Sequence, residues 1–153
     1  PNIDGTRIAT LGTSMGGALA MWTAALDRRI AVCAHLCMLA NIGPMIETGA
    51  HDRHGPYLTV PGLLTRADMG DIAGLIAPRP QFIAHGEDDG LTPVVARDAA
   101  LARARVSYVG SHVLETFAAP QSGHTETSEM RAHMLDFLSR HLAPTHTQTR
   151  ETC

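Results

Sequence analysis

The sequence predicts an α/β fold, a parallel sheet of about four strands flanked by helices. Three observations carry that prediction. Strand-like and helix-like segments alternate along most of the 153 residues, the pattern of parallel sheets built with right-handed crossovers. The run from Ile30 to Cys37 is almost continuously apolar, as expected of a strand covered on both faces. Gly12-Thr13-Ser14-Met15-Gly16 lies between a strand-like and a helix-like segment, where a tight turn calls for glycine. The length suffices for one domain with a real core.

Arg7–Leu11 reads as the first strand, short and apolar. Gly17–Leu26 follows as a helix made mostly of good helix formers. Ile30–Cys37 is the second strand. Between Asn41 and Pro80 the chain holds Gly43-Pro44, Gly55-Pro56, Pro61-Gly62 and Pro78-Arg79-Pro80. Only short helices are expected there, at Met45–Gly49 and Met69–Ile76. An excursion of this length between strands suits the wall or roof of a site. Gln81–His85 is the third strand and ends in the turn Gly86-Glu87-Asp88-Asp89-Gly90. Thr92 is expected to cap a helix over Val94–Arg103, with Pro93 in its first turn. Val113–Phe117 is the last strand. Thr127 is expected to cap a final amphipathic helix that buries Met130, Met134, Leu135, Phe137, Leu138 and Leu142. The domain thus spans 1–143, and the polar, threonine-rich stretch 144–153 is expected to be a disordered tail.

Composition narrows the classes of function. Hydrophobic residues make up 44% and charged residues 18%, with a formal net charge of −3. Such a chain offers no basic surface for nucleic acid or an anionic membrane, and neither is expected as a partner. No apolar run approaches the roughly 18 residues of a membrane span. No signal peptide is visible. Pro1 is not an initiator methionine, so the chain is expected to start inside a longer reading frame, and the compartment stays open. Cys33 and Cys37, four residues apart on one strand, would lie roughly 13 Å from each other. A disulfide needs Cα atoms within about 7 Å, so both read as small buried apolar residues. Cys153 sits on the tail.

No cofactor or metal is called for. His51-Asp52-Arg53-His54 offers two histidines without a third committed ligand. The glycine-rich turn lacks the Gly-Lys-Ser or Gly-Lys-Thr of a phosphate loop, and Gly12 to Gly17 does not supply G-x-G-x-x-G.

A serine hydroxyl is a weak nucleophile until an imidazole can take its proton, and the imidazole needs a carboxylate to fix its tautomer. The chain supplies candidates for all three. Ser14 is expected to sit in a strained conformation, with Gly12 and Gly16 avoiding clashes across the turn. The helix that follows would aim its first N–H groups at a developing oxyanion. His124, in Ser122-Gly123-His124-Thr125-Glu126, follows the last strand and is the candidate base. Glu87, Asp88 and Asp89 compete as the acid. Asp89 is preferred because it directly precedes Gly90-Leu91-Thr92-Pro93 and the turn into the helix; Asp88 comes second. His54 is expected to line the substrate pocket from the excursion. His85 reads as a strand-end residue.

Taken together these residues resemble the α/β-hydrolase superfamily, and within it the dienelactone hydrolase-like and acetyl-xylan-esterase-like proteins. The motifs are Asp4-Gly5-Thr6-Arg7-Ile8 leading into Gly12-Thr13-Ser14-Met15-Gly16-Gly17, then His54-Gly55-Pro56-Tyr57, Val60-Pro61-Gly62-Leu63-Leu64 and Ile76-Ala77-Pro78-Arg79-Pro80. His85-Gly86-Glu87-Asp88-Asp89-Gly90-Leu91-Thr92-Pro93 and Gly123-His124-Thr125-Glu126-Thr127 complete them. G-x-S-x-G is the superfamily's nucleophile elbow, with partners in the order serine, acid, histidine. The resemblance implies Ser14 as nucleophile, Asp89 as acid and His124 as base, with the Met15 N–H as half of an oxyanion hole. It also implies hydrolysis of small-molecule carboxylic esters or lactones through an acyl-serine. A peptidase or acyltransferase of the superfamily would use the same three residues.

Members of that family carry several strands, a second oxyanion donor and part of the pocket ahead of the nucleophile strand. The chain therefore resembles the carboxyl-terminal half of an α/β-hydrolase fold, strands 5 to 8 of the order 1-2-4-3-5-6-7-8. Its first strand would be an open edge that invites pairing into a homo-oligomer. The reading from another class of function is an inactive truncated domain or an interaction module.

Overall fold

Strands β1 (Ile8–Thr13), β2 (Ile30–Leu36), β3 (Gln81–Gly86) and β4 (Leu114–Ala119) pair in parallel, side by side in sequence order, in the computed structural model. Residues 3–143 are described; the tail 144–153 and its Cys153 lie outside the described residues. Five helices accompany the strands: α1 (Met15–Leu26), α2 (Ile42–Glu47), α3 (Met69–Gly74), α4 (Val94–Val106) and α5 (Ser128–Leu142). The parallel α/β architecture expected from the alternation is therefore the one observed.

The period-two alternation of a strand explains why β2 and β3 carry apolar residues on both faces. Val32, Ala34 and Leu36 of β2 and Phe82 and Ala84 of β3 pack with Met130, Met134, Phe137 and Leu138 of α5. Cys33 and Ile83 turn the other way, onto Met21 and Ala24 of α1, Met69 and Ile72 of α3, and Ala100 and Leu101 of α4. Each fully buried valine, leucine, isoleucine, phenylalanine or methionine among them contributes about 1.5–3 kcal/mol. His35 interrupts the apolar run without a charge. It is fully buried against Gln81, whose amide donates to His35 Nε2 at 2.9 Å, and burial pushes its pKa down to about 3.

Several boundaries depart from expectation for physical reasons. β1 runs on to Thr13 and α1 begins at Met15, so Ser14 alone makes the turn. Cys37 falls one residue past β2, at φ 53°, and joins the α5 side of the core while Cys33 joins the other; both thiols are free and buried. Thr92 does not cap α4. Pro93 holds the N-cap position, and the Thr92 hydroxyl has no partner. Thr127 does cap α5, accepting from Met130 N at 3.1 Å. Leu135 is not on the buried side of α5: it is 55% exposed. Met130, Met134, Phe137 and Leu138 follow the i, i+4, i+7, i+8 stripe of a helix, and position i+5 points away from it.

The excursion between β2 and β3 contains α2, α3 and three short 3₁₀ turns at Ala50–Arg53, Pro56–Leu58 and Leu63–Thr65. Asp68 fastens it. Its carboxylate accepts from Ile42 N and Met69 N, each at 2.7 Å, and from Gly43 N at 3.0 Å, so one side chain satisfies orphan donors at the starts of two helices. Arg79, in the Ala-Pro-Arg-Pro stretch, closes the other end of α1. Its guanidinium donates to Ala24 O at 2.7 Å, Ile30 O at 2.8 Å and Asp27 O at 3.0 Å. A cation there answers the negative end of a helix with no basic residue in its own last turn.

Among the described residues β1 pairs only with β2. Beside its free edge Leu11 is 56% exposed, and Leu19 of α1 is 63% exposed.

Candidate active site

Parallel strands deliver their carboxyl ends to one edge of the sheet, and the loops after β1, β3 and β4 bring Ser14, Asp89 and His124 together there. Ser14 adopts φ 56° and ψ −126°, a conformation that costs a non-glycine residue roughly 1–3 kcal/mol. Its backbone is held on both sides, the N–H donating to Leu36 O at 2.8 Å and the carbonyl accepting from Ala18 N at 3.0 Å. The side chain caps nothing and is free for another partner. Because the first bond of α1 comes from Ala18, the N–H groups of Met15, Gly16 and Gly17 have no acceptor within the helix. They crowd beside Ser14 at the positive end of a 12-residue helix.

Of the two motif glycines, only Gly12 is forced by contact. A Cβ on Gly12 would run into the backbone carbonyl group of Gly16, whereas a Cβ on Gly16 would meet nothing within 4 Å. Gly17 is the second tight position, with a Cβ 2.9 Å from Gly12 O and from Met38 Cγ. The expectation that Gly16 avoids a clash is thus corrected, since at the start of α1 that position faces open space.

His124 bridges the other two groups. The Ser14 hydroxyl donates to His124 Nε2 at 2.7 Å, and His124 Nδ1 donates to Asp89 Oδ2 at 2.9 Å. The Asp89 side chain is completely buried, and its second oxygen accepts from Leu91 N at 2.9 Å. Glu87 and Asp88 are exposed; Asp88 enters the loop only through its backbone, whose N–H donates to Ser122 O at 2.9 Å. His85 lies within β3, buried and unpartnered at Nδ1, with burial pushing its pKa down to about 4.

Ser14 and His124 open into a narrow cleft walled by Ala18, Cys37, Met38, Leu58 and Thr92, with His54 and Tyr57 from the excursion. His54 reaches it through a bond to the acid loop, Nε2 donating to Leu91 O at 2.8 Å. Arg53 holds the same loop one residue earlier, donating to Gly90 O at 2.9 Å. Cys37, Thr13 and Glu126 also belong to this neighbourhood, though the sequence marks Cys37 only as a buried apolar residue and gives Thr13 and Glu126 no role of their own. Adjacency to Ser14 and His124 was the available signal for Thr13 and Glu126, whereas Cys37 depends on the turn after β2, which only the fold reveals.

A serine on a strained strand-to-helix turn, with the loops of the next strands beside it, belongs to an architecture that defines the class of fold: the chain has the α/β-hydrolase fold. Solved structures are similar over nearly its whole length. The catalytic domain of the glucuronoyl esterase Cip2_GE from Hypocrea jecorina is 21% identical with a TM-score of 0.73, covering 92% of this chain and 45% of that one. TT1662 from Thermus thermophilus is 23% identical with a TM-score of 0.66, covering 88% and 54%. The α/β hydrolase GrgF from Penicillium sp. sh18 is 18% identical with a TM-score of 0.65, covering 94% and 67%. In sequence, the chain is 38% identical over 143 residues to the Bacillus subtilis (strain 168) protein named "Putative hydrolase YtaP". That match covers 92% of this chain and 48% of the relative, so the chain spans about half the length of the curated protein it matches. No family model matches the chain.

Proposed function

We propose that the chain carries the nucleophile, acid and base of a serine hydrolase acting on carboxylic esters or lactones. The observation that carries this reading is the continuous line of hydrogen bonds from Ser14 through His124 to Asp89. Ser14 Oγ attacks the ester carbonyl while its proton passes to His124 Nε2. The imidazolium forms against the buried Asp89 carboxylate, then returns the proton to the leaving alkoxide. The N–H of Met15 stabilises the oxyanion as one donor of the hole. Water, deprotonated by the same imidazole, then attacks the acyl-serine carbonyl, releases the acid and restores Ser14. The glucuronoyl esterase similarity and the hydrolase name of the relative support an ester as the substrate class, and the apolar wall of Ala18, Met38 and Leu58 suits a small acyl or alkyl group.

A fluorophosphonate probe tests the reading without assuming a substrate. Labelling that peptide mapping places on Ser14, together with turnover of p-nitrophenyl acetate, is the expected result. A folded, monodisperse chain that stays unlabelled overturns it.

The edge of β1 that is unpaired among the described residues favours a second reading, in which the chain associates with another copy through that strand. Light scattering should then show a dimer or larger species that Leu11→Lys returns to monomer, because an inserted charge disfavours edge pairing. A monomer at every concentration overturns it.

A further inference from the structure

We infer that Glu126 is a positioning residue that locks the loop of His124 onto the turn of Ser14. The inference rests on the assignment of Ser14 and His124 as nucleophile and base. His124 sits between β4 and α5, whereas Ser14 sits after β1, and their contact spans 110 residues of sequence. A hydrogen bond of 2.7 Å between side chains on two separate loops depends on whatever holds those loops in register.

Glu126 supplies the tie. The hydroxyl of Thr13, the residue before Ser14, donates to Glu126 Oε2 at 3.0 Å. Arg131, in the first turns of α5, donates from Nε to Glu126 Oε1 at 2.6 Å. The two oxygens of one carboxylate thus face opposite anchors, one on the serine turn and one on the helix behind the histidine. The bond from Arg131, and to a lesser degree that from Thr13, holds the Glu126 carboxyl below the usual carboxylate range, so it is an acceptor at both oxygens at neutral pH. A second tether lies one residue away, where the Cys37 thiol donates to Thr125 O at 3.4 Å. Both residues that follow His124 are therefore fastened to the ends of the strands that position Ser14. The bond runs to the variable residue of the motif, so G-x-S-x-G does not require it.

The test uses the full 153-residue chain with two readouts, the rate of fluorophosphonate labelling at Ser14 and the imidazole ¹⁵N resonances of His124. The resonances are assigned from the signals lost in His124→Gln. Glu126→Ala and the near-isosteric Thr13→Val should each slow labelling roughly 10- to 100-fold, the scale of a misplacement near 1 Å. They should also merge the separate Nδ1 and Nε2 signals toward a tautomer average. Thr13→Ser keeps the hydroxyl and should stay within about threefold of the parent rate, whereas Glu126→Gln keeps one acceptor oxygen of two and should fall between the parent and Glu126→Ala. Parent-like labelling and parent-like His124 signals in Glu126→Ala and Thr13→Val would overturn the inference. So would a Thr13→Ser defect equal to that of Thr13→Val, which would assign the effect to packing at position 13 and not to the hydroxyl that reaches Glu126. If the parent chain is not labelled at all, the hydrolase reading fails, and the nitrogen resonances decide the tether by themselves.

Discussion

Replacing Asp89 by asparagine is expected to slow ester turnover by about 10⁴, on the scale seen when the orienting acid of such an array is made neutral. The Asp89 carboxylate can only accept, so it selects the tautomer in which His124 Nδ1 carries the proton and Nε2 is free to receive one from Ser14. An asparagine amide turned toward Nδ1 donates instead, moves the proton to Nε2 and leaves the Ser14 hydroxyl facing another donor. The substitution is nearly isosteric, and its carbonyl oxygen can still accept from Leu91 N in place of Oδ1, so the unfolding midpoint should move little. Asp88→Asn is the control. Its side chain is exposed and its backbone N–H, the group that holds Ser122 O, is unchanged, so its rate should match the parent. Steady-state rates on p-nitrophenyl acetate for the two variants decide the assignment: a large loss in Asp88→Asn with activity retained in Asp89→Asn would reverse it.

Much of this site was legible in the sequence because its parts sit where local rules act. A glycine-flanked serine between an apolar run and an alanine-rich run can hardly be anything but a strand-to-helix turn, and the acidic turn and His124 each follow a strand in the order the proposed chemistry needs. The choice among Glu87, Asp88 and Asp89 was closer. It turns on which side chain the loop buries, and Arg53 and His54 help to hold that loop from 37 residues away. Side-chain function at helix starts was less legible. Thr92 carries every local mark of a cap and fails because Pro93 itself takes the N-cap position. Thr13–Glu126 and Asp68–Ile42 are long-range pairs, set by how α5 and the excursion dock, and no spacing in the sequence announces them. Leu135 shows the remaining limit: hydrophobicity nominated it for the core, while its angle on α5 turned it to solvent.

Gly12→Ala and Gly16→Ala should separate sharply although the motif treats the two glycines alike. At position 12 the new methyl would meet the backbone of Gly16, which belongs to α1 and cannot rotate aside as a side chain would. Relief requires β1 and α1 to move apart, and overpacking of this kind typically costs about 1–3 kcal/mol. The same movement displaces Ser14, whose N–H is pinned to Leu36 O and whose hydroxyl must stay within reach of His124. A shift near 1 Å would cost a further factor of about 10² in the labelling rate. At position 16 a methyl meets open space in the first turn of α1, and alanine is favoured over glycine within a helix by roughly 0.5–1 kcal/mol. Gly16→Ala should therefore unfold at the parent's denaturant midpoint or above it and label at the parent's rate, while Gly12→Ala should lose on both counts. If Gly16→Ala fell as far as Gly12→Ala, the second glycine would be needed for room that the folded chain does not show, such as space for a substrate against the start of α1. Equal tolerance at both positions would mean instead that the turn yields, and that the strained conformation of Ser14 does not depend on the close approach of β1 to α1.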